Sequence, residues 1–481
     1  MIDFRPIAFV LGILLAILAL AMLIPASVDA AIGHPDWQVF TAAAGVTLFI
    51  GGALVLTSRS GWSAFTLRQG FIMTNLAWLV TATFGALPFA FSELELSYTD
   101  AFFESMSGVT TTGSTVITGL DAAPPGILLW RAILQWLGGI GIIVMAVAVL
   151  PILQVGGMQL FRVEAFETDK VAPRAAQIAG SISIVYVFLT GVAWIVLWAL
   201  GMSSFEAVAH AMTSIATGGF STSDGSLGHF NSAAIDWSVS LFMILGSLPF
   251  VLYLRAARGN VLTIFRDSQV RVLLGILAVA ISLTCLWLWQ KDIMGLGGAL
   301  RYATFNVISV MTGTGYATAD FGQWGGFVLT IMFLLMFIGG CAGSTTCGIK
   351  IFRFQVLYAT AKVQLSRLMH PNGVFVPYYN KRPIPETVAA SVMGFFFLFI
   401  TSFALLAVAL GLIGLDLVTA LSGAATAIAN VGPGLGDIIG PAGTFAPLPD
   451  EAKWCLSAGM LLGRLELFTV LVLLVPDFWR S

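Results

Sequence analysis

Val109-Thr110-Thr111-Thr112-Gly113-Ser114-Thr115 is the first of four related stretches on which the reading of this chain turns. The others are Ile215-Ala216-Thr217-Gly218-Gly219-Phe220-Ser221, Met311-Thr312-Gly313-Thr314-Gly315-Tyr316-Ala317 and Ile428-Ala429-Asn430-Val431-Gly432-Pro433-Gly434. With Gly113, Gly219, Gly315 and Gly432 in register, an alanine stands twelve positions earlier in every copy: Ala101, Ala207, Ala303 and Ala420. An apolar residue stands four positions earlier: Val109, Ile215, Met311 and Ile428. A further glycine follows inside the next apolar run: Gly138, Gly246, Gly339 and Gly463. Columns repeated in four copies mark an internal repeat.

The surrounding sequence says where the repeat sits. Of 481 residues, 58% are hydrophobic and 10% charged, with 36 Phe and 13 Trp. A soluble domain carries about 25% charged residues, so too little charge remains here to coat a water-facing surface. A net charge of −2 gives no basic footprint for nucleic acid. Apolar runs of spanning length fall at 7–26, 38–57, 70–92, 127–150, 177–200, 236–254, 270–290, 325–340, 388–413 and 454–475. Runs near 99–112, 205–218, 301–314 and 418–431 are too short to span and fit re-entrant segments. The first run exceeds the core of a signal peptide and reads as a retained helix. Most Lys and Arg residues fall in alternate loops that, by the positive-inside rule, are cytoplasmic, with both termini inside.

The expected fold is an all-α polytopic membrane protein. It has an N-terminal two-helix hairpin (1–60) and four pseudo-fourfold units of span, short pore helix, glycine segment and span. Their bounds are 61–165, 166–262, 263–375 and 376–481, the third with an intramembrane loop. Non-helical backbone is tolerated at membrane depth only where it is buried or lines a watery path. Backbone carbonyls can replace the hydration shell of a cation, and glycine permits the φ > 0 conformations that aim them. Each short helix also turns its negative C-terminal end toward the axis. The candidate ion-binding residues are therefore Thr111, Thr112, Gly113, Thr217, Gly218, Gly219, Gly313, Thr314, Gly315, Asn430, Val431 and Gly432, with the threonine hydroxyls adding oxygens. Six acids on the outer side (Asp100, Glu104, Glu206, Asp224, Asp320 and Asp437) are expected to form a cation-concentrating vestibule.

Two further features stand at the pore. Gly339, Gly340, Gly343 and Gly348, with Ser344, Thr345 and Thr346, interrupt the second long run of the third unit. Such a stretch makes a poor helix and reads as a mobile loop, closed by Lys350. Arg464 lies within the last span, where an Arg usually faces the protein interior or a water cavity. Glu466, two residues on, would be nearly opposite on an ideal helix. The four Cys (Cys285, Cys341, Cys347 and Cys455) have no zinc or redox spacing and read as small apolar fillers. His210 reads as a packing or hydrogen-bonding residue.

Thr312-Gly313-Thr314-Gly315-Tyr316 is close to the Thr-Val-Gly-Tyr-Gly type of potassium filter. More broadly, the chain resembles the Trk/Ktr/HKT superfamily of potassium transporters, and within it the TrkH type. Trp130-Arg131-Ala132-Ile133-Leu134-Gln135-Trp136-Leu137-Gly138-Gly139-Ile140-Gly141 is similar to the first inner helix of that family. Gly339 to Lys350 resembles its intramembrane gating loop, and Asn430-Val431-Gly432-Pro433-Gly434-Leu435-Gly436 its fourth filter. The match spans about 60–478, and the additional hairpin 7–57 is similar to the TrkH type.

The resemblance implies potassium as the transported ion, since a Ser at the first filter glycine goes with sodium preference and this chain has Gly113. It implies gating by the 339–350 loop and a cavity-facing Arg464 below the filter. It implies a bacterial inner-membrane location, a homodimer and a cytoplasmic nucleotide-binding ring of the TrkA type. No covalently bound cofactor is expected, and the lipid bilayer is the remaining partner. A proton- or sodium-coupled cation symporter is the competing transport reading. A membrane enzyme is disfavoured, because His34, His210, His229 and His370 are scattered.

Overall fold

The computed structural model describes residues 2–59, 66–145, 157 and 171–480. Among the described residues, seven helices are long and apolar enough to cross a membrane: Arg5–Ile32, Asp36–Thr57, Leu67–Phe91, Pro125–Val144, Gln177–Ala199, Ser268–Gln290 and Glu386–Ile413. Arg162 and Lys170, which the charge rule counts as cytoplasmic, lie outside the described residues.

The remaining three long runs are not continuous spans. The run expected at 236–254 divides into Ala233–Ser247 and Phe250–Ala257, bent by 95°. Pro249 is the cause: it has no N–H, and it holds Leu248 extended at ψ 155°. The run expected at 454–475 divides into Asp450–Arg464 and Phe468–Leu474, bent by 108°. Neither Gly nor Pro stands at this break. Glu466 and Leu467 take φ 60° and 52°, a strained state that costs about 1–3 kcal/mol per residue. The run at 325–340 supplies only the helix Gly326–Met336 before the glycine-rich loop. The segment 350–387 contains the helix Ile351–Met369 and a two-stranded hairpin, Tyr378–Tyr379 with Arg382–Pro383.

Four short helices lie among these elements: Tyr98–Val109, Ser204–Ile215, Leu296–Met311 and Leu417–Ala429. Three begin at a side-chain cap. Ser97, Ser203 and Asp416 accept from the backbone N–H groups of Asp100, Glu206, and Val418 with Thr419. All four end alike. The N–H of Thr112, Gly218, Thr314 and Val431 reaches back to the carbonyl of Ser107, Thr213, Ser309 and Thr426 at 2.8–3.1 Å. The preceding residue bonds three back. This paired pattern is the Schellman motif, which needs one residue with φ > 0. Thr111, Thr217, Gly313 and Asn430 fill that place at φ 53°, 50°, 69° and 53°.

The repeat columns acquire a physical meaning in this packing. Ala101, Ala207, Ala303 and Ala420 are buried against neighbouring helices. A Cβ on Gly138 would overlap the carbonyl of Val109, one on Gly246 would lie 2.7 Å from that of Ile215, and one on Gly463 would overlap that of Ile428. In three units, then, the long helix offers a bare glycine on which the end of the short helix sits. The third unit differs, since Gly339 is covered by the carbonyl of Cys347 from the loop. The N-terminal hairpin crosses in the same manner, with Gly12 against the Gly51 backbone.

This seating predicts that Gly138→Ala and Gly463→Ala will each destabilise the folded protein by about 1–3 kcal/mol. Gly191→Ala, at an open helical position, will be neutral or slightly stabilising. Thermal midpoints of the purified variants in detergent check the contrast.

Candidate functional site

Beyond each Schellman turn the chain stays off the helix. Gly113, Gly219, Gly315 and Gly432 take φ 87°, 78°, 84° and 111°. Residues of opposite hand therefore alternate with ordinary ones, which turns successive carbonyls to one side instead of alternating them across a strand. A Cβ on Gly113 would overlap the carbonyl of Gly218, one on Gly219 that of Thr314, and one on Gly315 that of Val431. One on Gly432 would lie 2.9 Å from that of Thr112. The contacts run first to second, second to third, third to fourth and fourth to first, so the segments close into a ring.

The twelve residues singled out from sequence meet in this ring. Among the described residues, the carbonyls of Thr111, Thr112, Gly113, Thr217, Gly219, Gly313, Thr314, Gly315, Asn430 and Val431 accept no hydrogen bond from protein donors. Buried carbonyls are almost always paired, so ten together form a surface that can receive an electropositive guest. Gly218 and Gly432 depart from the set. Gln135 Nε2 donates to the Gly218 carbonyl, and Ser114 and Thr426 hydroxyls donate to that of Gly432 at 2.7 and 3.0 Å. Of the candidate threonine hydroxyls, that of Thr111 is buried with no hydrogen-bond partner among the described residues, whereas those of Thr112, Thr217 and Thr314 depart from expectation. Thr110 pairs with Thr112 at 2.7 Å and Thr312 with Thr314 at 2.8 Å, while Thr217 donates to Ala216 and Thr345. They secure helix ends, because a buried hydroxyl takes the nearest carbonyl or hydroxyl.

Side chains lace the ring from behind. Asn430 Nδ2 donates to Thr112 Oγ1 at 2.8 Å and to the Met460 carbonyl at 3.0 Å. Phe220 N donates to Gln135 Oε1 at 3.0 Å. Arg131, 1% exposed, donates from Nε to Glu104 Oε1 at 2.7 Å and from Nη1 to the Ser221 carbonyl at 2.6 Å, and lies over the Phe220 ring. Glu104 also accepts from Thr115 and from Val116 N. His210 is buried, with Nδ1 at 2.8 Å from the Glu206 carbonyl and Nε2 at 3.1 Å from Ser221 Oγ.

The acidic vestibule is largely redrawn. A cavity of about 260 Å³ opens above the ring, lined by Gly113, Gly219, Gly315 and Gly432, and of the six acids only Asp224 borders it. Glu104 is held by Arg131, and Asp100 pairs with Lys453 at 2.6 Å. Glu206 and Asp320 serve helix N-termini, Glu206 accepting from Ser203 N and Asp320 from Gly322 N. Asp437 is exposed away from the cavity lining. Acids at helix starts are favoured by the helix dipole, which explains their outer position without a vestibule.

On the opposite side, the glycine-rich loop bonds the second and fourth units. Thr345 donates to the carbonyls of Ile215 at 3.1 Å and Gly246 at 2.9 Å. Cys341 N bonds the Ser247 carbonyl, and Phe250 N bonds that of Gly343. The loop thus takes up the carbonyls freed at the Pro249 bend. Within it, Ser344 Oγ bonds the Cys341 carbonyl and Thr346 Oγ1, which accepts from Gly340 N. Gly343 and Gly348 take φ 75° and 67°. Lys350 Nζ folds back on the carbonyl and hydroxyl of Thr346. Arg464, buried at the end of its helix, donates to the carbonyls of Thr345 at 3.2 Å and Gly138 at 2.8 Å, and approaches Cys347 Sγ at 2.6 Å. Glu466 does not pair with Arg464; it bonds Arg353 at the start of the following helix.

Sequence reasoning passed over Gln135, Thr213, Arg353 and the inward role of Arg131. A charged residue beside Trp130 in an apolar run was the available signal for Arg131. The four cysteines are free, three of them buried.

Burying the Arg131–Glu104 pair makes it costly to halve. Arg131→Gln alone will destabilise by about 3–5 kcal/mol, and Arg131→Gln/Glu104→Gln by less than the sum of the two singles. Melting curves of the four proteins check this.

A family model described as TrkH, cation transport protein, matches residues 36–481. The Trk system potassium uptake protein TrkI of Halomonas elongata is 47% identical over 481 residues, covering 99% of this chain and 97% of that protein. The Trk system potassium uptake protein TrkH of Escherichia coli K12 is 38% identical over 485 residues, with 100% of each chain covered. The crystal structure of the potassium transporter TrkH from Vibrio parahaemolyticus is similar over 100% of both chains, with a TM-score of 0.92 and 36% identity.

Proposed function

The chain belongs to the TrkH family of cation transport proteins, and on that premise we propose that potassium crosses the membrane through the ring of its four glycine segments. It is a multi-pass membrane potassium-uptake protein of a transport family, not an enzyme. The single observation that carries the filter reading is the closed circuit of contacts at Gly113, Gly219, Gly315 and Gly432, with ten carbonyls free of protein donors. A dehydrated potassium ion needs several oxygens at fixed distances, and backbone carbonyls supply them without a full negative charge that would hold the ion too long. The C-terminal ends of the four short helices add partial negative charge toward the same point.

The loop 339–350 is the gate in this reading. Support comes from its hydrogen bonds to the second and fourth units, from the bond by which Arg464 also reaches Gly138 of the first, and from the place of the Cys347 carbonyl at Gly339. Arg464 contributes a positive charge below the ring, and its bonds to Gly138 and Thr345 hold the loop across the path. The unit bounds 1–60, 61–165, 166–262, 263–375 and 376–481 belong to this scheme. So do the bacterial inner membrane, cytoplasmic termini, a homodimer and a nucleotide-binding ring of the TrkA type. The word "system" in the relatives' names supports a separate regulatory component. Ion-coupled symport lacks a supporting observation, since Glu466, the acid within the last apolar run, is bonded to Arg353.

Two outcomes test the proposal in liposomes reconstituted with the purified protein. Gly113→Ser will reduce the preference for potassium over sodium in flux measurements; an unchanged ratio in folded protein refutes the filter. Removing part of 343–348 will raise basal potassium flux; equal or lower flux in folded protein refutes the gate.

A further inference from the structure

Tyr316 follows the third ring glycine and is fully buried. Its hydroxyl bonds Thr213 Oγ1 on the second short helix. Either hydroxyl can donate in this bond, and Thr213 Oγ1 also lies 2.9 Å from the Ala209 carbonyl on its own helix. The Thr213 carbonyl in turn accepts from Gly218 N at 2.8 Å. Tyr316 is therefore joined to the second segment through one intermediate residue. Ser309 Oγ fixes its own carbonyl at 2.6 Å, and the His210 ring packs 6.0 Å from its centroid.

The seams of the ring are not stitched equally. Gln135 and Arg131 bond the second segment from the first unit, and Ser114 and Asn430 join the first and fourth. Among the described residues, no hydrogen bond joins the third segment to the fourth, which meet only where Gly315 packs on Val431. At ring level the third segment thus hangs on its bond to Thr213. Further out, Ser226 and Gly228 hold Ala317.

Resting on the filter reading above, we infer that Tyr316 is a specificity-determining positioning residue whose hydroxyl, through Thr213, fixes the place of the third segment in the ring. Discrimination between cations depends on where the carbonyls stand and how freely they move, whether size or field strength decides it. Freeing the third segment at its one stitched seam lets its carbonyls close on a smaller ion. Thr213 and Tyr316 touch no ion in this scheme; they act through the backbone they hold.

Tyr316→Phe and Thr213→Val keep the buried volume and remove the bond from either end. In the reconstituted protein, each is expected to lower the potassium-over-sodium flux ratio about fivefold, the factor that loss of one hydrogen bond corresponds to. Potassium flux is expected to stay near wild type, and the melting temperature to fall by no more than the loss of one buried hydrogen bond entails. The double variant is expected to match the singles, because one interaction is removed in all three. A wild-type ratio in either folded single variant overturns the inference, as does a double variant whose loss is the product of the singles. Should one variant not fold, the other carries the test. Gly113→Ser in the same assay separates the levels. If it shifts the ratio while Tyr316→Phe does not, the filter stands and this inference falls; if neither shifts it, the filter reading falls as well.

Discussion

A backbone that leaves the helix inside a hydrocarbon layer must still place its N–H and C=O groups, and water is not there to take them. Much of this structure answers that constraint. Four short helices stop inside the bundle, and in each the N–H groups just past the end are taken up by a Schellman turn. Threonine hydroxyls and three bare glycines on the long helices receive the ends. What remains is a set of carbonyls that cannot be matched by protein donors without filling the axis, and the fold gathers them there. The two bends follow the same logic. At Pro249 the freed carbonyls of Gly246 and Ser247 are taken by the loop, so a local defect in one helix becomes the landing place for a segment from another.

Charge is placed under a similar rule. Arg131, Arg353 and Arg464 are all buried, and each has bonds that account for its presence. Arg131 and Arg353 have carboxylate partners, whereas Arg464 is held by carbonyls and a sulfur. In the proposed scheme an unpaired cation beside the path repels a passing ion, while a paired one mainly ties helices together. The distinction separates Arg464, close beneath the ring through Gly138, from the other two.

How much of this was legible in the sequence follows from the kind of signal each feature leaves. The four glycines showed in register because every copy needs φ > 0 at the same step, and only glycine supplies it cheaply. The inner glycines showed because a Cβ there would collide with backbone. The bend at Pro249 was also in plain view and was missed only because the apolar run continued across it. The break after Arg464 left no such mark, since Leu467 is held at φ 52° by the packing around it. The partner of Glu466 was equally hidden: Arg353 is 113 residues away, and no local periodicity reports a contact of that range. The acids on the outer side misled for the converse reason, because caps and vestibules place carboxylates at the same end of a helix.

Consider finally the odd seat at Gly339. In the other three units, backbone is pressed on backbone, so a push on the long helix is delivered stiffly to the end of its short helix. In the third, the carbonyl of Cys347 occupies that place. Force applied to the helix Ile351–Met369 enters the loop and leaves it through hydrogen bonds at Thr345 and Arg464. Such bonds break and re-form at small cost, whereas packed backbone does not yield. In this quadrant, then, the long helix is joined to the circle of carbonyls above through the more yielding kind of contact.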